Sequence, residues 1–229
     1  MATLSDHCPL SMKPGQEWAN SIIRMIFDRA VDWQLWASLS PFLPLLAEAA
    51  PDIFLEKVDQ DLSATSSKLT YLFPDAEDNF MQSSPHTELL WALEVLAWSP
   101  EYLGQSSLLL AKLARMDPGG KHANRPIGSL QSIFLIWHPC TTANLERRLK
   151  VLDTIRRREP RVAWDILTNV LPHAHGIAFP TAKPEYRNWL PDEDVFITCA
   201  EISRATTEVV HRLLEDVGSD GSRWSTLIE

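Results

Sequence analysis

Apolar residues in this 229-residue chain recur at steps of three and four, the spacing that stacks side chains on one face of an α-helix. Trp18, Ile22, Ile23, Ile26 and Phe27 make the first such stripe and predict a helix over Gly15–Phe27. Asp32 is a predicted N-cap for a short helix carrying Trp33, Trp36 and Leu39. Phe42–Ala49 and Pro51–Leu62 read as a helical pair, and Ser63–Ser84 as a long polar connector with apolar knots at Leu69–Phe73 and Phe80-Met81. Thr87–Trp98 is apolar almost all round, Glu94 being its one charge after Glu88, so it is predicted at the centre of the fold. Helices are predicted over Pro100–Met116, Ile127–Trp137, Thr142–Glu159 and Pro160–Leu171, with breakers at Asp117–Pro126 and Pro172–Leu190.

Asp192–Val217 is the most amphipathic stretch, predicted to bury Phe196, Cys199, Ile202, Val209, Val210, Leu213 and Leu214. Glu201, Arg204, Glu208 and Arg212 fall at i,i+3 and i,i+4 steps and read as a solvated ladder. After Gly218–Gly221, Ser222 is a predicted cap for a terminal stub with Trp224, Leu227 and Ile228. The stub is too short to be stable alone and reads as the opening turns of a further hairpin. An open apolar edge, and self-association through it, are expected there. No run alternates polar and apolar residues well enough to predict a strand.

A proline punctuates the pattern three times, each at the end of one helical run and the start of another: Ala50-Pro51-Asp52, Ser99-Pro100-Glu101 and Glu159-Pro160-Arg161. Proline cannot continue the first helix, but its fixed φ and missing N–H suit the first turn of the next. Pro51, Pro100 and Pro160 are therefore each predicted in the first turn of a helix that follows an antiparallel partner. The fold class this implies is all-α: stacked antiparallel helical hairpins, as in HEAT-like α-solenoids or a compact α–α superhelix. Residues 1–14 read as a polar tail, and 15–229 as a single helical-repeat domain belonging to a longer architecture.

Composition narrows the class. With 45% hydrophobic and 22% charged residues the chain sits among soluble globular proteins. No apolar run approaches the ~20 residues of a membrane span, so no membrane partner is expected. The N-terminal residues lack an apolar core flanked by basic residues, and Cys8, Cys140 and Cys199 are dispersed. A cytoplasmic location without disulfides is expected. A net charge of −9 disfavours nucleic acid as a partner of the whole surface.

The phrases Leu45-Leu46-Ala47-Glu48-Ala49-Ala50-Pro51, Leu89-Leu90-Trp91-Ala92-Leu93-Glu94 and Ala97-Trp98-Ser99-Pro100-Glu101-Tyr102-Leu103 carry a resemblance, together with Asp117-Pro118-Gly119-Gly120, Asn124-Arg125-Pro126 and Trp137-His138-Pro139. In them the segment from about Leu43 to Trp189 resembles the helical-repeat regions of long, mostly uncharacterised bacterial proteins. Several of those look like sensors with a STAND-type NTPase module ahead of the repeats. The resemblance implies a recognition or scaffold segment of a defence or signalling protein, partnered by another protein or by the remainder of a longer chain. The Gly-x4-Gly-Lys-Ser/Thr phosphate loop is absent from the sequence, so NTP hydrolysis does not carry over.

Candidate chemistry is sparse. The Asp117–Pro126 loop holds Gly119-Gly120, Lys121, Asn124 and Arg125, which suit either an anion-binding turn or a plain structured turn. His173 and His175, or His138 and Cys140, make two-ligand clusters where zinc needs three or four. Asp192, Glu193 and Asp194 suit a helix N-terminus. Glu94, in its apolar helix, is expected to meet a basic residue of a neighbouring hairpin or to lie on a narrow exposed strip. No catalytic, cofactor-binding or metal-binding residues are assigned, and no cofactor is expected.

The strong charge feature is the cluster Arg147, Arg148, Lys150, Arg156, Arg157, Arg158 and Arg161. Arg147, Lys150, Arg157 and Arg158 fall opposite the apolar arc of Leu145, Leu149, Leu152 and Ile155. Partner binding is assigned to Arg147, Lys150, Arg157, Arg158 and Arg161. No aromatics interleave with them to stack on bases. The chain thus reads as a non-enzymatic interaction scaffold or sensor segment, with an all-helical enzyme of unrecognised site as the alternative.

Overall fold

The computed structural model describes residues 15–73, 85–119, 124–172, 176–191 and 197–228. The 1–14 tail, Phe80-Met81, Gly120, Lys121, His173, His175, Asp192–Asp194 and Phe196 lie outside the described residues. The described residues form helices and connectors with no strand. The helices are α1 (Gly15–Asp28), α2 (Trp33–Leu39), α3 (Leu43–Ala49), α4 (Pro51–Leu62), α5 (Pro85–Ala97) and α6 (Leu103–Met116). There follow α7 (Pro126–Phe134), α8 (Leu145–Arg158), α9 (Pro160–Asn169), α10 (Cys199–Val217) and α11 (Gly221–Ile228), with short 3₁₀ turns at Ser40–Phe42 and Leu69–Leu72. The all-α expectation holds.

Two proline corners share one geometry. Ala50 and Glu159, each preceding its proline, have φ/ψ of −145°/73° and −134°/66°, outside the helical region as the following ring requires. Each still closes the old helix and opens the new one. The Ala50 N–H donates to the Leu46 carbonyl while its own carbonyl accepts from Phe54, and Glu159 does the same with Ile155 and Ala163. Pro51 and Pro160 are the first residues of α4 and α9. Pro100 differs: it lies in a turn, and α6 begins only at Leu103. The Trp98 carbonyl, which would prolong α5, instead accepts the N–H and hydroxyl of Thr142 at 3.1 and 2.8 Å.

The helices pack as neighbouring pairs. α3 rests on α5 and α4 on α6, so the hairpin α3–α4 lies against α5–α6. α6 also touches α7, α8 and α9, and α10 rides on α9 and α8. As its composition demanded, α5 is central: Leu89, Leu90, Ala92, Leu93, Leu96 and Ala97 are buried, with Trp91 on the one open side. Truncating such a core leucine typically costs ~2–5 kcal/mol.

Several boundaries depart from the sequence pattern. α7 stops at Phe134 rather than Trp137, because the chain turns away so that the Ile136 N–H can reach the Val170 carbonyl and the Cys140 N–H the Ser132 carbonyl. α10 begins at Cys199, where the Thr198 hydroxyl accepts the Glu201 N–H. Its buried stripe is Ala205, Val209, Leu213 and Val217, whereas Cys199, Val210 and Leu214 are exposed and Ile202 is half-buried. α11 is capped by Asp220, not Ser222: its carboxylate accepts the N–H groups of Ser222 and Arg223.

Buried acids hold the long connectors. Asp61 accepts the Ser67 hydroxyl at 2.6 Å and the Leu69 N–H at 3.1 Å, fixing the 3₁₀ turn that follows α4. Glu48 of α3 accepts the N–H groups of Glu185 and Tyr186 at 2.9 and 2.7 Å. Glu94 of α5 accepts the Ala182 N–H at 2.8 Å and the Ser129 hydroxyl. The 176–191 segment is thereby strapped across α3 and α5, with Trp98 Nε1–H donating to the Ala182 carbonyl at 2.9 Å. The partners of Glu94 are thus a hydroxyl and a main-chain amide, neither a basic residue nor an exposed strip. Burial pushes its carboxyl above the usual carboxylate range, against the opposing pull of the Ser129 and Ala182 hydrogen bonds.

Candidate functional site

The basic cluster becomes a site through the local structure of α8. Asn144 starts the helix, its side chain accepting the Arg147 N–H at 2.9 Å, and Pro160 ends it by opening α9. Leu145, Leu149, Leu152 and Ile155 anchor it in the core. On the α6 side, Val151 lies in van der Waals range of Gly104, 3.7 Å from where a β-carbon would sit.

The seven cations of the cluster divide into two sets. Arg148 is buried and donates to Glu201 of α10. Burial lowers its pKa although the Glu201 carboxylate pulls the other way. Arg156 donates to Asp216 of α10 through Nε and Nη2, both at 2.8 Å, and also reaches Glu215 and Asp153. These bonds, led by Asp216, raise its pKa further. Asp153 in turn accepts a bidentate pair from Arg212 at 2.8 and 2.9 Å. Burial pushes the Asp153 carboxyl up, but Arg212 and Arg156 together outweigh it and hold the pKa below the usual range.

With the exposed pair Arg204–Glu146, these contacts make an ionic seam between α8 and α10. The supposed solvated ladder is therefore an interface: three of its four members, Glu201, Arg204 and Arg212, bind α8 directly. Rotation of α10 to reach the seam is what turns Val210 and Leu214 outward.

The second set stays free. Arg147, Lys150, Arg157, Arg158 and Arg161 are all exposed, and among the described residues none makes an ion pair. Arg157 donates to the Thr154 hydroxyl at 3.1 Å. At 100° per residue, Arg147, Lys150, Arg157 and Arg158 span about 100° of the α8 surface, between the seam and Val151. Arg161 extends the strip into the first turn of α9. A shallow depression of about 470 Å³ between α8 and α10 has Arg157 at its edge, above Asp153, Arg156 and Arg212.

The other candidates do not converge. Asp117 pairs with Arg125 at 2.8 Å and accepts the Gly119 N–H at 2.9 Å, which closes the breaker loop on itself. His138 is exposed while Cys140 is buried, and among the described residues no group of three or more His, Cys, Asp or Glu is placed to hold a metal. A second depression, of about 580 Å³ beside α1, is bordered by Arg24 and Asp28, which pair with Glu56 and Lys57 of α4.

Sequence reasoning missed Glu48 and Asp61. Their signal was present in the Leu45–Ala50 and Val58–Leu62 runs, where an acid falls among residues that must be buried. It missed the seam as well, although Glu201, Glu208 and Glu215 recur at heptad spacing. No protein-family model, no curated protein and no solved structure matches the chain.

Proposed function

We propose that the protein is a non-enzymatic protein-interaction scaffold or sensor segment built of helical hairpins, as in a bacterial defence or signalling protein. The observation that carries this reading is the free strip Arg147, Lys150, Arg157, Arg158 and Arg161 on a helix fixed by its core residues and ionic seam. Leaving five cations unpaired in a chain of net charge −9 forgoes internal pairing and preserves attraction for an outside partner. The stacking of α3–α4 on α5–α6 supports an α-solenoid arrangement of the hairpins. The free thiols Cys140 and Cys199 suit a reducing cytoplasm.

A photo-crosslinking amino acid in place of Arg158, in the full chain in cells, tests the reading. A discrete protein adduct is expected there, lost when Arg147, Lys150 and Arg157 are reversed to Glu and absent when the probe replaces Gln60 on α4. Equal labelling at both positions, or none at Arg158, overturns it.

Self-association is a second contact we propose, because Val210, Leu214, Trp224 and Ile228 expose apolar area on α10 and α11. Sedimentation should show mass rising with concentration, and Leu214→Glu with Ile228→Glu should abolish the rise. A single species at all concentrations sinks it.

A further inference from the structure

The fold already contains one answer to what α8 binds. On one flank it takes a helix through paired charges: α10 lies alongside, and α8 supplies the acid in Glu146–Arg204 and Asp153–Arg212 but the cation in Arg156–Asp216. Heptad-spaced acids of α10 supply Glu201 at one end of that flank and Glu215 at the other, meeting Arg148 and Arg156. The other flank of α8 differs in carrying cations alone, none of them in an ion pair among the described residues. Arg147, Lys150, Arg157 and Arg158 cover eleven residues of rise, about 16 Å. A second helix with acids at i, i+4, i+7 and i+11 spans the same length and presents its carboxylates on one side.

The geometry points to an acidic α-helix of a partner protein as the ligand of this open flank, lying along α8 as α10 does on the other side. The inference rests on the reading of the strip as an interaction surface and adds the conformation and chemistry of what binds there. Two features favour a protein helix over nucleic acid. No aromatic side chain lies among the cations to stack on the bases of a single strand, and the chain's net charge of −9 opposes a duplex. Arg161, at the first turn of α9, would meet the end of the docked helix.

The probe is a hydrocarbon-stapled Ala/Glu peptide with Glu at i, i+4, i+7 and i+11. It is compared with a peptide of the same charge made non-helical by two prolines, and with a duplex DNA of similar length. Binding to the full chain is followed by fluorescence anisotropy at low and at physiological salt. Helical peptide binding is expected to exceed that of the non-helical peptide by about fivefold or more. It should fall about tenfold or more when Arg147, Lys150, Arg157 and Arg158 are all changed to Glu.

A variant with the same four positions changed to Gln keeps the surface neutral and guards against misfolding of the reversed chain; it too must lose affinity. Reversal of Arg29, an exposed cation of the α1–α2 turn, should leave binding unchanged. Equal binding of helical and non-helical peptides overturns the helix inference, as does tighter binding of the duplex. Failure of all probes overturns it too, while a protein adduct at position 158 would still uphold the interaction reading.

Discussion

Glu94→Ala tests the claim that buried acids hold the fold's long connectors. The substitution leaves two donors without an acceptor: the Ala182 N–H, now 2.8 Å from a carboxylate oxygen, and the Ser129 hydroxyl. An orphaned buried donor costs ~1–3 kcal/mol, and the hydroxyl, free to rotate, falls near the low end. Relief from burying an acid whose pKa is raised by desolvation returns part of this. The net expectation is a loss of about 1–3 kcal/mol, or roughly 2–12 °C in melting temperature for a chain of this size. Equilibrium urea unfolding measures the loss. Amide hydrogen exchange locates it: the Ala182 amide should lose protection, while amides in the middle of α8 keep theirs. Glu94→Gln retains one acceptor and should cost much less. If Glu94→Ala unfolds within about 0.5 kcal/mol of the wild type and the Ala182 amide stays protected, the carboxylate is not what holds the strap.

The same group fixes the sign of a pH effect. Because burial raises the folded pKa of Glu94, its contribution is greatest in acid and declines as pH rises from the ordinary Glu range through the folded value, then levels off; Glu94→Gln should flatten that part of the stability–pH curve, and an unchanged curve refutes the assignment. Asp153 acts in the opposite sense: its lowered pKa contributes stability that is lost as pH falls through the folded value, and Asp153→Asn should weaken this acid sensitivity in urea melts. Arg156→Ala, which breaks the half-buried contacts to Asp153, Glu215 and Asp216, should cost about 1–3 kcal/mol by denaturation, and a change below 0.5 would make the seam ornamental. Reversing Arg147, Lys150 and Arg157 to Glu should leave the melting temperature nearly unmoved, since exposed charges contribute ~0–1 kcal/mol per pair; unfolding of that variant would place the strip inside the fold.

What the sequence disclosed and what it concealed divide along the range of the interactions. Helices and corners were legible because their causes lie within a few residues. Pro51 and Pro160 need only a preceding residue able to leave the helical region, and both corners form as expected. Pro100 obeys the same local rule but lies in a turn before α6, whose first N–H, Leu103, donates to the Ser99 carbonyl, while Thr142, 44 residues away, takes the Trp98 carbonyl at the end of α5. Glu94 shows the same limit. Its place in an apolar helix announced a buried acid, yet its partners lie 35 and 88 residues downstream, in a short helix and an irregular loop with no periodicity to follow. Glu48 is engaged at a separation of 137 residues, which no local pattern encodes.

The basic cluster lies between these cases, and its division into two sets is where pattern and partner meet. Arg148 sits within the stripe Leu145, Leu149, Leu152 and Ile155, so spacing alone sets it apart from Arg147 and Lys150. Spacing cannot say that Glu201 waits for it 53 residues later. On α10 the acids at 201, 208 and 215 were equally visible and equally ambiguous, since a heptad of acids suits water as well as a partner. Each pattern alone favours solvent, the common fate of charge runs. Together they pair at the two ends, Glu201 with Arg148 and Glu215 with Arg156, while Glu208 turns to Arg212 of its own helix. Once α10 has taken Arg148 and Arg156, the cations that remain on α8 lie on a single arc. They share that arc because the core and the seam occupy the rest of α8; what marks it is that Thr154 alone among its residues is not a cation.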